Sequence, residues 1–251
     1  MERIGKVPQT TLDMLLLRAA KDGDIKRVRA LLEKGADVNV RDKRIEGSED
    51  YNNTPLHHAC KNGDIKLVRL LITTGADVEA RDDCDNAPLH CACLNGYDDI
   101  AFELLAAHAR PNVWGDGGSA LAFAAVEGGV KTMRVLLENG AKVDYVGFDR
   151  YTPLHRACEF GRTDSVMLLL DYGADINAQN ENDLTPIEEA IKLPPTNPSR
   201  EEIISIFLKR FPEATLENIV NLPKDDKLRE RTLDWYREHH PELVMERWCT
   251  I

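Results

Sequence analysis

The chain has 251 residues, 43% hydrophobic and 30% charged, with a net charge of -11. That composition excludes a disordered chain, and the acidic balance argues against bulk electrostatic binding to nucleic acid, which needs a basic face. No apolar run approaches the ~18 residues of a membrane span, and Met1–Ile4 does not open a signal peptide, because acidic Asp13 adjoins the short run Leu15–Leu17.

A motif recurs at a fixed step. Thr54-Pro55-Leu56-His57, Ala87-Pro88-Leu89-His90, Ser119-Ala120-Leu121-Ala122, Thr152-Pro153-Leu154-His155 and Thr185-Pro186-Ile187-Glu188 start 33, 32, 33 and 33 residues apart. A period near 33 means stacked units that cannot bury their apolar faces alone. Within a unit, Thr caps a helix and Pro occupies its first position, where a missing N–H costs nothing. The helix ends near Gly63, Gly96, Gly128 or Gly161. A second helix, such as that carrying Val166, Leu168, Leu169 and Leu170, ends before Gly75, Gly140 or Gly173 in a left-handed cap.

In chain order, residues 1–11 form a tail. The first unit, near 12–53, lacks the motif and reads as a cap, with Thr10, Thr11 or Asp13 capping its helix. Gly35 to Thr54 spans 19 residues against 12 in later copies, so seven extra residues sit around Arg44–Tyr51. Units follow near 54–86, 87–118, 119–151, 152–184 and 185–211. The fourth is most degenerate. Its entrance, Gly115-Asp116-Gly117-Gly118, reads as the most flexible joint. In the sixth, Leu193–Pro198 interrupts the pattern and Ser199 with Glu202 reads as a capping box. Residues 212–251 split at Pro212, Pro223 and Pro241 into helical segments with stripes at Leu216, Ile219 and Val220, at Leu228, Leu233, Trp235 and Tyr236, and at Leu243, Val244 and Trp248. They read as a helical cap on the last unit, the alternative being a docking extension.

The recurring Thr-Pro-Leu-His with Gly-Ala-Asp-Val/Ile-Asn between copies resembles the ankyrin repeat family over about residues 12–211. The resemblance implies an all-α solenoid of helix-turn-helix units with hairpin loops, capped by C-terminal helices. It implies a structural role for His57, His90 and His155, each bonded to Thr and to the neighbouring loop. It implies partner binding at helix ends and hairpin tips on the concave face, here Leu94, Asn95, Val126, Glu127, Glu159 and Phe160, with Trp114, Phe148, Asp149, Tyr151 and Leu184 on the tips. It also implies Asn39 and Asn177 as positions open to hydroxylation in animals.

The residues point to no enzyme. His90-Cys91-Ala92-Cys93 lacks a second ligand pair for zinc. Glu238-His239-His240 lacks metalloprotease spacing, and Gly115–Gly118 lacks the Lys and Ser/Thr of a phosphate loop. Cys60, Cys93 and Cys158 read as buried thiols in one helix register, which fits a reducing compartment. The expectation is a non-catalytic scaffold, monomeric, in the cytoplasm or nucleus, without metal or cofactor. Its partners are one or more proteins, not nucleic acid or membrane. The alternative is an adaptor whose tail recruits a second protein or enzyme complex.

Overall fold

A computed structural model of the protein describes residues 8–42, 52–147, 149–215 and 227–241. The extra loop around Arg44–Tyr51, Phe148, and the stripes at 216–220 and 243–248 lie outside the described residues, as does the side chain of Leu228.

The helices run in pairs: α1 Gln9–Lys21 and α2 Ile25–Glu33, α3 Pro55–Asn62 and α4 Ile65–Thr73, α5 Pro88–Leu94 and α6 Asp98–Ala106. Then come α7 Ala120–Glu127 and α8 Val130–Glu138, α9 Pro153–Glu159 and α10 Thr163–Asp171, α11 Pro186–Lys192 and α12 Pro198–Arg210. A further helix among the described residues, α13, spans Lys227–His239. First helices pack on first helices (α1, α3, α5, α7, α9, α11) and second helices on second helices, so the pairs stack into two continuous layers. This is an all-α solenoid. One apolar core runs its length, from Leu12 through Leu56, Leu89, Leu121 and Leu154 to Tyr236.

The helix starts follow the expected chemistry with three differences, one being Thr185, whose hydroxyl donates to Glu188 at 2.8 Å and caps no backbone N–H. Thr54, Ser119 and Thr152 accept from the backbone N–H three residues on, while Asp24 and Asp64 do the same for second helices. Helix α1, however, follows Pro8 with no side-chain cap. Asp13 instead accepts from the Asp37 N–H at 2.9 Å and ties the first helix to its own loop. Helix α12 starts at Pro198, one residue before Ser199, because proline fits the first position. Asn197 caps it, and Glu202 accepts from the Thr163 hydroxyl instead.

The Gly115–Gly118 segment forms a short paired hairpin. Strands β1 (Trp114–Gly115) and β2 (Gly118–Ser119) pair antiparallel, Trp114 opposite Ser119. Its glycines serve close approach. A Cβ on Gly115 would lie 2.2 Å from Asn86 Oδ1, and one on Gly117 2.5 Å from the Phe123 ring, closer than any side chain tolerates.

At the far end, Leu233 and Tyr236 of α13 are buried. Arg231 donates to both Glu201 carboxylate oxygens at 2.8 Å, and the Tyr236 hydroxyl donates to the Pro212 carbonyl.

Candidate protein-interaction surface

Three histidines set the geometry of the hairpins. His57 Nδ1 accepts from the Thr54 N–H at 3.2 Å and lies 2.9 Å from its hydroxyl, while Nε2 reaches the Asn86 carbonyl at 3.1 Å. His155 repeats this with Thr152 and the Leu184 carbonyl, at 3.2, 2.8 and 2.9 Å. His90 accepts from the Ala87 N–H at 3.0 Å and reaches the Val113 carbonyl at 3.2 Å. A backbone N–H only donates and a carbonyl only accepts, so each neutral ring carries its proton on Nε2. Protonating Nδ1 would set two donors face to face. Burial therefore drives His57 and His90 down to about 4, with the Arg81 charge adding to the effect at His90. His155 moves the same way, chiefly through burial. Each ring staples the start of its own helix to the hairpin of the next unit.

A second set of bonds ties the opposite loops. Asn39 donates to the Gly75 carbonyl and accepts from the Asp77 N–H. Asn112 repeats this with Gly140 and Lys142 at 2.9 and 2.7 Å. Glu79 accepts from the Arg110 N–H, and Asp144 from the Asp175 N–H. The sixth unit departs from the pattern, and Asn177 is exposed at the end of this ladder.

Between these rigid parts lies the surface. The hairpin at 82–86 and the ends of α3 and α5 enclose a recess of about 140 Å³, walled by Lys61, Asp82, Asp83, Leu94, Asn95 and Phe123. Leu94 is 41% exposed. Asn95 is exposed, its amide donating to the Cys91 carbonyl. In the next unit Val126 is half-buried, its carbonyl accepting from Arg162, and Glu127 is exposed.

Two units along, a tighter group forms. The Arg156 guanidinium sits 4.0 Å from the Tyr151 ring centre and is held by Asp149 at 2.5 Å and Glu159 at 3.0 Å. The Tyr151 hydroxyl donates to Glu189 of the following unit. Tyr151 is thus half-buried in a bridge between units, while Phe160, at the end of α9, is 47% exposed. Leu184 is half-buried, its carbonyl taken by His155. Trp114 is half-buried too: its indole lies so close over Gly147 that a Cβ there would overlap it. The structure thus brings Asp149, Tyr151 and Glu159 together around Arg156, leaves Phe160 exposed at the end of the same helix, and puts Leu94 and Asn95 in a separate recess.

Arg156, Phe123 and Cys91 are members of these groups that the sequence reading passed over. Each follows the fourth motif position, as His58 and Glu189 do in the other copies. His58 pairs with Asp42 at 3.0 Å, Cys91 and Phe123 line the recess, and Arg156 and Glu189 meet Tyr151. A motif position where chemistry varies while its neighbours repeat was the available signal.

Cys60, Cys91, Cys93 and Cys158 are buried free thiols, and Cys84 is exposed. Burial pushes Cys60, Cys93 and Cys158 well up, which leaves them poor nucleophiles. Among the described residues no group of three or more His, Cys, Asp or Glu could hold a metal ion. No helix among them is long and apolar enough to cross a membrane.

Stacked helix pairs with projecting hairpins and a side-chain-lined inner face define an interaction solenoid. The chain belongs to the ankyrin repeat family. The family model described as ankyrin repeats (3 copies) matches residues 16–114 and 110–180. Relatives are similar over shorter stretches. The ARF GTPase-activating protein Git of Drosophila melanogaster is 42% identical over 62 residues, 24% of this chain and 8% of that protein. Ankyrin repeat protein OPG189 of Vaccinia virus (strain Copenhagen) is 44% identical over 57 residues, 23% of this chain and 10% of that protein. Protein phosphatase 1 regulatory subunit 12A of Mus musculus is 31% identical over 74 residues, 30% of this chain and 7% of that protein. The matched stretches thus cover a tenth or less of these relatives' own lengths. Ankyrin repeats mediate protein–protein interaction, and the family is typically non-catalytic.

Proposed function

We propose that this chain is a non-catalytic scaffold that holds a partner protein on its concave face. The observation that carries the reading is the pair Leu94 and Phe160, large apolar side chains 41% and 47% exposed at the ends of first helices. Leu94 shares its recess with the hairpin at 82–86. Polar residues would serve folding equally well there, whereas apolar anchors beside rigid walls suit binding. Asp149 and Glu159 hold Arg156 in place as a polar rim, and Trp114, Tyr151 and Leu184 stiffen the hairpins that frame it. Residues 212–251 are read as a cap, supported by the burial of Leu233 and Tyr236. Lack of a membrane-crossing helix among the described residues is compatible with a monomer in the cytoplasm or nucleus.

The test is affinity capture from lysate with the full chain and with Leu94→Ser/Phe160→Ser. Both side chains are exposed, so the melting temperature should move by no more than a few degrees, since exposed substitutions stay within about ±0.5 kcal/mol. Captured proteins should disappear. If they persist on the double variant, the concave-face reading is wrong. Of the two asparagines open to hydroxylation, Asn177 is the better substrate, because both amide atoms of Asn39 are engaged in the ladder. Mass spectrometry of the chain from animal cells tests this, and modification at Asn39 alone would refute it.

A further inference from the structure

We propose that the recess between the 82–86 hairpin and the end of α5 receives a lysine or arginine side chain from an extended, basic partner segment. This rests on the concave-face reading above and names the partner's chemistry. A drug-sized ligand fills ~300–1,000 Å³. At about 140 Å³ the recess takes a single side chain, not a cofactor or metabolite. Its walls fit an amphipathic stem: Leu94 and Phe123 are apolar and would lie along the methylenes, as long basic side chains pack their stems on apolar surface.

Its mouth is negative. Asp82 and Asp83 line it. Exposed Asp85 and Asp116 flank it, the Asp116 N–H donating to the Cys84 carbonyl. Of the cations, Lys61 stands in the wall, and the Arg41 guanidinium donates to the Arg81 carbonyl at the foot of the hairpin. Arg81 is turned inward, Nη1 donating to the Asp85 and Trp114 carbonyls. The lining itself carries two carboxylates, Asp82 and Asp83, against one cation, Lys61. The Cys84 thiol registers this field: burial first, then Asp82 and Asp116, hold it above its ordinary range. Charge complementarity of this kind selects partners and steers association. An acidic segment would meet like charge, and a purely apolar one would leave the carboxylates desolvated.

The test uses the full chain and two labelled nine-residue peptides, one alternating arginine with leucine and serine, the other with glutamate in place of arginine. Fluorescence anisotropy should show binding of the arginine peptide only, weakening with added salt. Asp83→Lys/Asp116→Lys should weaken it about tenfold or more, the product of modest exposed charge terms. Neither carboxylate makes a side-chain hydrogen bond among those described, so the fold should be unaffected, as circular dichroism would show. Glu33→Lys/Glu138→Lys, an equal charge change on exposed positions of second helices, should bind like wild type. Iodoacetamide should alkylate Cys84 more slowly when the arginine peptide is bound, while the buried thiols stay silent.

Equal binding of both peptides, equal weakening by both charge-reversed pairs, or an unprotected Cys84 would each overturn the proposal. So would failure of the arginine peptide to bind. If it fails while Leu94→Ser/Phe160→Ser still abolishes protein capture, the concave face stands as a binding surface and only its basic partner is refuted.

Discussion

Acidification should unfold this array through its histidine staples. His57 and His90 are held down at about 4 against an ordinary 6.5, first by burial. A histidine whose folded value is lowered contributes stability that is complete above 6.5 and lost as the pH falls towards 4, because in that window the unfolded chain takes up a proton and the folded chain does not. Each pH unit inside the window costs about 1.4 kcal/mol per ring. Moving from about pH 7 to about pH 5 crosses some 1.5 units of it. That is roughly 2 kcal/mol per histidine and about 4 kcal/mol for the two. The same burial acts on His155 with the same sign. Losses of this size compare with whole-domain stabilities of ~5–15 kcal/mol. Urea unfolding followed by circular dichroism at both pH values measures the loss. NMR then assigns it: in the folded chain, nitrogen shifts of His57 and His90 should report the Nε2-protonated neutral ring and hold constant well below pH 6. Unfolding midpoints that stay flat or rise on acidification, or imidazole shifts moving with a midpoint near 6.5, would refute the reasoning.

Three further outcomes are expected. Gly147→Ala should displace the Trp114 indole, shifting its fluorescence and costing 1–3 kcal/mol as overpacking does; an unchanged spectrum and melting temperature would show that the indole does not rest on this glycine. Asn112→Ala should cost about 1–2 kcal/mol by removing two bonds to the next loop, whereas Asn177→Ala should stay within ~0.5 kcal/mol; equal effects in thermal melts would disprove the ladder. Tyr236→Phe removes a donor from the Pro212 carbonyl and should lower stability by about 1–2 kcal/mol, with faster hydrogen exchange in α12. Protection left unchanged there would mean that α13 does not stabilise the last repeat.

Most of the fold was legible because the information was local and repeated. A Thr-Pro start, a buried Leu, a glycine that turns left-handed and a second apolar helix recur at one step, and each carries its physical reason within a few residues. The roles of His57, His90 and His155 came from the family resemblance, and the structure shows their physical basis in a ring nitrogen that accepts from the N–H three residues back. Local logic failed where another element competed. Asn197 supplanted Ser199 as a cap because Pro198 took the first helical position, and Asp13 was drawn off to the Asp37 N–H.

The candidate surface was less legible. Gly115 and Gly117 look like flexibility in a sequence, yet they admit Asn86 and Phe123, residues that precede and follow them along the chain. Trp114 looks like an exposed anchor until Gly147, one repeat on, comes to lie against its ring. Asn39 and Asn177 have nearly the same local sequence but different neighbours, so one is clamped and the other exposed. The sequence alone determined the stacked architecture, because it depends on contacts at fixed offsets, while the helix-to-hairpin staples were implied by the family resemblance. Only the tertiary structure decided which side chains remain free to meet a partner. That choice depends on what the next unit brings against them, and the next unit's variable residues follow no period.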